Sequence, residues 1–513
     1  MIPKNPLNPS FAVYAALGTA VSYYTFPLII QLNNRATLIL SILILFIFAV
    51  SFLRVLVHGS FLFSADKPKI NVPRFILKIN LAVLSVVAGF CLGVVLRAGT
   101  GGIYLPLSHD RIIGLSGIIS DDPRAFNDGR GMGALELKTA AGAQGLRVTA
   151  SGKITVFFPA GTIPRLKEFG RGSEIYIEGT LIEGGRGLVF RAAQVHIVKP
   201  ASAIEQFRTN FRTASLEKFG ILQDGSVSPP VWGGLASAML LGIRDDLDVD
   251  LAASFKNSGC AHILSLSGMN LALLSGAIAF LLSRLIGIKA ASLAGAAFII
   301  LYIFLAGAQP SLARSGIIYL LGTLAVLGFF RKNALSLLAL AFLIQLLIRN
   351  DSGATLSFIL SYLAIAGIII TGSSFYELLR GKIPDVILSG FSASLGAFTA
   401  TAAISAFYFG VLYPIGLVAG LLIMPVATIF TFLAFVSFLL VSLIPVLFGA
   451  VDVMLTMVYR FLEILVTNAA VVPGVETLSV VPVLAASLAI IALLEFLKYK
   501  NTLYRSSVAS FDA

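Results

Sequence analysis

The stretch Ala238–Asn270 reads AMLLGIRDDLDVDLAASFKNSGCAHILSLSGMN. An apolar run ends in Arg244, Asp245 and Asp246, and a second run carries His262, Ser265, Ser267 and Asn270 inside it. Whether such groups belong to a soluble core or to membrane depth depends on the chain around them. That chain of 513 residues is 57% apolar and 12% charged, with a mean hydropathy of +0.93. Soluble domains carry about 25% charged residues, and surface falls too slowly with size for a soluble chain to hide this much apolar area. Apolar stretches of the length that crosses ~30 Å of hydrocarbon recur along it. The chain reads as a polytopic α-helical membrane protein.

Within that setting the polar groups of the stretch need an account. At roughly 100° per residue, His262, Ser265, Ser267 and Asn270 spread over more than half the circumference of a helix. No single dry face holds them. Either protein surrounds the helix, or it is interrupted near Ser267–Gly268, where freed backbone groups line a cavity. Polar groups at membrane depth mark pathways by default; the alternative is a packing motif of small and polar residues.

Two further clusters have the same ambiguity. In LAGAQPSLARSG, Leu305–Gly316, Gln309 and Pro310 break a helix and Arg314 follows four residues into the next. Arg314 either snorkels to headgroups or points into an aqueous path, where a guanidinium meets phosphate oxygens. In LSFILSYLA, Leu356–Ala364, Ser357 and Ser361 share one helix face, as helix–helix glue or as wall of a path.

Working outward, residues 11–32, 36–57 and 76–98 are spanning candidates. Met1–Ser10 has one Lys and no cleavage pattern, so the first span is expected to be kept and not removed as a signal peptide. Lys67, Lys69, Arg74 and Lys78 mark the loop before the third span as cytoplasmic. Residues 1–100 thus form N-terminal membrane helices that end outside.

The pattern changes at Gly101. Between Arg111 and Lys199 apolar residues alternate, as in Leu135/Leu137, Leu146/Val148 and Ile175/Ile177, with further strands over Ile112–Ile119, Lys153–Phe158 and Leu188–Ile197. Gly/Asp/Asn-rich segments separate them. Five or six short strands predict a small closed barrel of OB-like type over residues 101–200, on the outer side. Residues 201–230 read as an amphipathic helical linker, with Ile204, Phe207, Phe211 and Leu216 near helical spacing. Spans then follow over 262–283, 290–309, 312–330, 333–348, 354–371, 388–409, 411–427, 428–447 and 479–497, within a membrane domain of residues 231–513. Residues 236–258 read as a re-entrant or interfacial pair, and 450–470 as an amphipathic outer helix. Arg284/Lys289, Arg331/Lys332, Arg380/Lys382 and the tail Lys498, Lys500 and Arg505 all fall where parity puts the cytoplasm. The reading is about twelve crossings with both termini inside.

The net charge of +12 fits the positive-inside rule as well as a polyanionic cargo. No P-loop and no Gly-x-Ser-x-Gly elbow occur, and His58, His109, His196 and His262 are too scattered for a zinc site. His262 and Ser267 lack an orienting carboxylate. No catalytic residue, metal site or cofactor is expected. Cys91 and Cys260 imply no disulfide framework.

Taken in order, these motifs resemble the ComEC competence family. Leu240–Arg244, Phe255, Ser258–Gly259 and Ala261–Gly268 resemble its leucine-rich Gly-x-Arg and Ser/Thr-Gly-x-x-His-Leu-Leu-Ala-Ile-Ser-Gly-Leu-His segments. Ala306–Gly307 with Pro310, Ser311 and Arg314 resemble its Ala-Gly-x-x-Pro-x-x-x-Arg segment, and Leu360–Ala364 its Gln-Leu-Ser-Phe-Leu-Ala segment. Tyr408–Gly410 and Met424–Pro425 match later landmarks. Asn270 stands where the family has His, and Ile359 where it has Gln. Many members also carry a metallo-β-lactamase-like domain after the last helix, and this sequence ends at Ala513.

The resemblance implies an inner-membrane channel that passes single-stranded DNA inward during natural transformation. Its expected path residues are Arg244, Asp245, His262, Ser267, Gly268, Asn270, Gln309, Pro310, Arg314 and Ser361. The implied partners are single-stranded DNA, membrane lipid, and a separate DNA receptor, cytoplasmic ATPase and nuclease; a homo-oligomer stays open. The rival is a transporter or flippase of another anionic solute or lipid. The barrel segment 111–200 carries 12 Lys/Arg against 8 Asp/Glu. Phe126, Phe157, Phe158, Phe169, Tyr176 and Phe190 are candidate stacking platforms, two or three of them expected in the core.

Overall fold

A computed structural model of the chain describes residues 11–31, 85–86, 88–97, 103–126, 130–142, 146–160, 170–184, 187–218, 230–264, 268–307, 309–328, 333–477 and 479–511. The expected span 36–57, the loop 58–75, Phe169 and Ser267 lie outside them.

Alternation builds a barrel. Strands β1 (Ile112–Ile119), β2 (Gly131–Gly142), β3 (Lys153–Phe158), β4 (Glu174–Gly184) and β5 (Gly187–Lys199) hydrogen-bond in the order β1-β4-β5-β3-β2, and β1 pairs with β2 to close the ring. All these pairings are antiparallel except β3 with β5. On β3, Ile154, Val156 and Phe158 point inward while Lys153 and Phe157 point out. Leu115, Ile119, Leu135, Ile175, Ile177 and Phe190 complete the sealed interior. Closure leaves these strands without the open edges that invite pairing with other chains.

Helices fill the rest. Helix α1 (Phe11–Gln31) and α2 (Ala88–Arg97) precede the barrel. After it come α3 (Ala203–Lys218), the short α4 (Gly233–Leu241) and α5 (Val249–Asn257), then α6 (Gly268–Ile286), α7 (Ile288–Ala306), α8 (Pro310–Val326) and α9 (Ala334–Ile348). Next are α10 (Leu356–Leu379), α11 (Asp385–Phe409), α12 (Gly416–Leu443), α13 (Phe448–Ala470) and α14 (Val480–Phe511). Among the described residues, five stretches are long and apolar enough to cross a membrane, including Leu356–Leu379, Asp385–Phe409 and Gly416–Leu443. The apolar stretch Leu274–Ala306 turns at Gly287, whose φ of 79° suits glycine, so α6 and α7 pack side by side as a hairpin. At nine residues each, α4 and α5 span about 14 Å and are too short to cross.

One region differs from expectation. The two spans 411–427 and 428–447 are a single helix, α12, with Pro425 inside it. At about 1.5 Å per residue its 28 residues put its ends ~42 Å apart. The amphipathic α13 is packed along α12 and does not lie apart from it: Val451, Leu455, Tyr459, Leu462 and Val466 form its buried stripe. A two-residue ladder between β6 (Val411–Leu412) and β7 (Val475–Glu476) joins the ends of this hairpin. Thr477 N–H donates to the Gly410 carbonyl at 2.8 Å beside it. Helices α10 and α11 cross where Gly367 meets Gly396, a Cβ on Gly367 falling 2.1 Å from the Gly396 carbonyl oxygen.

The barrel is fastened to the helices through α3. Arg208, 1% exposed, donates from Nη1 to Asp122 Oδ2 (3.0 Å), from Nη2 to Asp122 Oδ1, and from Nε to Glu205 (3.0 Å). One turn on, Arg212 Nη1 donates to the carbonyls of Leu241 (3.2 Å) and Ala306 (2.6 Å), at the ends of α4 and α7. A cation there suits the negative end of a helix. Ile204 and Phe207 on α3 remain exposed.

Candidate functional site

Beneath the barrel lies a cavity of about 2780 Å³. Its roof is barrel surface, Phe126, Arg130, Phe157 and Arg191, and its walls come from α6, α8, α10, α11 and α12. Phe157 and Arg191 are register partners on the parallel strands β3 and β5. An aromatic face and a guanidinium thus stand side by side on the outward surface. Phe158 and Phe190 are core residues, leaving Phe126 and Phe157 as the exposed rings on this side.

The charged lining residues are Arg130, Arg191, Arg244, Asp245, Lys256 and Arg314, joined by His262. Along α10, α11 and α12 the wall mixes apolar side chains such as Ile365, Ile368, Phe398 and Leu421 with the hydroxyls of Ser361, Ser394, Thr401, Ser405 and Thr428. Asp245 is the one acidic group among the described lining residues, so the lining is electropositive.

Of the expected path residues, Arg244, Asp245, His262, Gly268, Arg314 and Ser361 line this one cavity. Arg244 Nη2 donates to the Leu264 carbonyl at 3.1 Å, fixing the chain that leads into α6. Helix α6 is described from Gly268 on, and a short 3-10 turn, Ala261–Leu264, lies upstream of it. Gly268 is packed against α8: a Cβ there would lie 1.5 Å from Ser315 Oγ. Asn270 is in the first turn of α6, its side chain outside the described atoms. Gln309 and Pro310 start α8 and stand apart from the lining. Pro310 is N1 of that helix, and its carbonyl accepts from Gln345 Nε2 at 2.9 Å.

Sequence reading passed over Arg130, Arg191, Lys256 and the Arg208–Asp122 joint. Arg191 had a signal, since alternation puts it outward once Phe190 is inward. Arg208 and Asp122, 86 residues apart, had none. Among the described residues no group of three or more His, Cys, Asp and Glu could hold a metal ion.

A closed five-stranded barrel set on a bundle of apolar helices, over a cation-lined cavity, defines a multi-pass membrane protein with a cavity suited to an anion. The profile of a family described as competence protein matches residues 239–500, just over half the chain. The chain belongs to the competence protein family. It is also similar to the ComE operon protein 3 of Bacillus subtilis (strain 168), 26% identical over 208 residues. That match spans 39% of this chain and 26% of the Bacillus protein. No solved structure matches the chain.

Proposed function

We propose that this protein is an inner-membrane channel through which single-stranded DNA enters the cell. The observation that carries this reading is the barrel surface with Phe157 and Arg191 paired in register, roofing a cavity whose lining is electropositive. Bases of any sequence stack on aromatic faces while guanidinium groups meet the phosphates. We read the barrel as an OB-fold, supported by its strand order and its one parallel pair. The barrel lies outside and both termini lie in the cytoplasm, a topology of about twelve crossings supported by the Lys/Arg-rich loops. In that arrangement α13 is the return of α12 and takes the place of one of the two spans read from 411–447.

The path runs past Arg244, Asp245, His262, Gly268, Arg314 and Ser361, while Gln309 and Pro310 serve to start α8 beside it. The chain supplies the route and the electrostatics; a receptor, a motor ATPase and a nuclease are separate partners. The test is uptake of labelled DNA into the cytoplasm of cells with the gene deleted and then complemented. Wild-type protein restores uptake, and His262→Ala at equal protein level does not. Uptake that survives the deletion rejects the reading and favours transport of another anionic solute or lipid.

A further inference from the structure

Two helices begin at the wall of the cavity. Ser311 of α8 and Ser357 of α10 line it within two residues of their helix starts, and Gly268 of α6 lines it as well. The first-turn amides of a helix lack intrahelical acceptors and carry about half a positive charge between them. Thr355 caps α10 through Phe358 N–H, whereas Gln309 makes no side-chain capping bond at α8. With no side chain at Gly268, α6 closes directly onto Ser315.

Arg314 lies on this wall. It is 6% exposed, and neither Nε nor Nη1 has a hydrogen-bond partner among the described residues. Its neighbours are already committed. The Tyr362 ring is 5.7 Å from the guanidinium, but its hydroxyl donates to Gln345 Oε1 at 2.8 Å. Gln345 Nε2 in turn donates to the Pro310 carbonyl. Buried guanidinium groups are normally paired, because the desolvated charge is otherwise expensive. Here the compensating groups are more positive helix ends and neutral hydroxyls at Ser357 and Ser361. A bound oxyanion would supply the counter-charge that the described residues do not.

We propose that Arg314 and the starts of α8 and α10 form a fixed binding site for one phosphate-type oxyanion, Nε and Nη1 donating to its oxygens. The site rests on the channel reading only for its natural ligand, a backbone phosphodiester. A lipid headgroup or free phosphate has the same chemistry.

The experiment uses the full chain in a maltoside detergent free of phosphate. Inorganic phosphate should raise the thermal midpoint of the wild type and leave that of Arg314→Met unchanged. Without phosphate, Arg314→Met should melt no lower than wild type, because an uncompensated charge has been removed. A wild type indifferent to phosphate, an equal rise in both proteins, or a steep loss of stability in Arg314→Met overturns the site. Ser361→Asp gives a second, independent variant: a carboxylate on the same wall should abolish the phosphate response, and a retained response overturns the proposal.

Oligothymidylate binding then identifies the source. If a backbone phosphate is the ligand, the slope of log affinity against log salt should be smaller by about 0.7 in Arg314→Met. A phosphate response with an unchanged slope upholds the oxyanion site and rejects the DNA reading. The lipid source is then tested by the same melting comparison in nanodiscs with and without phosphatidylglycerol.

Discussion

Arg208 and Asp122 form a two-pronged ion pair that joins the first helix after the barrel to the loop following β1, with the guanidinium buried and the carboxylate partly in solvent. The asymmetry of exposure makes the two halves of the pair unequal. Asp122→Asn leaves a buried cation with Glu205 alone; Arg208→Ala leaves a carboxylate that water can reach. Breaking a fully buried pair costs about 3–5 kcal/mol, so Asp122→Asn should approach that range and Arg208→Ala should cost about 2 kcal/mol. Thermal melts of the purified variants check the order. A larger loss for Arg208→Ala reverses the argument.

The barrel should fold without the helices. Its interior is closed by its own strands, and the Arg208 contact is made from outside it. A fragment of residues 108–200 is expected to be soluble with a β-rich circular dichroism spectrum. A helical or disordered spectrum would show that the helices are needed to complete it.

Topology can be read with single cysteines in a background lacking Cys91 and Cys260. Phe126→Cys on the barrel should react with an impermeant maleimide in intact cells, and Lys382→Cys should react only after permeabilisation. Protection of residue 126 and labelling of residue 382 would invert the orientation.

The approach of α6 to α8 predicts a compensating pair. Gly268→Ala places a Cβ 1.5 Å from Ser315 Oγ and 2.5 Å from Ser315 Cβ. Removing the hydroxyl alone is therefore insufficient. Gly268→Ala should reduce DNA uptake at least tenfold at equal protein level, Ser315→Ala should not restore it, and Ser315→Gly should. Equal rescue by both would mean that Cβ crowding is unimportant.

Legibility in the sequence followed the range of the forces involved. Alternation is local, so Ile154, Val156 and Phe158 announced an inward face and the barrel with it. Six of the ten expected path residues share one cavity because polar groups inside apolar runs are costly enough to stand out. The 411–447 region was misread as two spans because no charge marks a boundary and Pro425 looks like one; α12 continues through it. Helix α13 reads as amphipathic and outer because Asp452, Arg460 and Glu463 interrupt its apolar pattern. Its five-residue apolar stripe has an equally good partner in α12, which only three dimensions reveal. The seating of the barrel depends on Asp122 meeting Arg208, a relation set by topology and invisible to any window along the chain.

The ladder between β6 and β7 has a consequence for how the protein tolerates being severed. It brings residues 411–412 and 475–476 together, so the intervening hairpin enters and leaves the body of the protein at one place. Such a hairpin is a cassette: a backbone nick in the turn at residues 444–447 leaves each half anchored by its own end of the ladder and by the α12–α13 seam. The two pieces, made as separate polypeptides, should reassemble in the membrane.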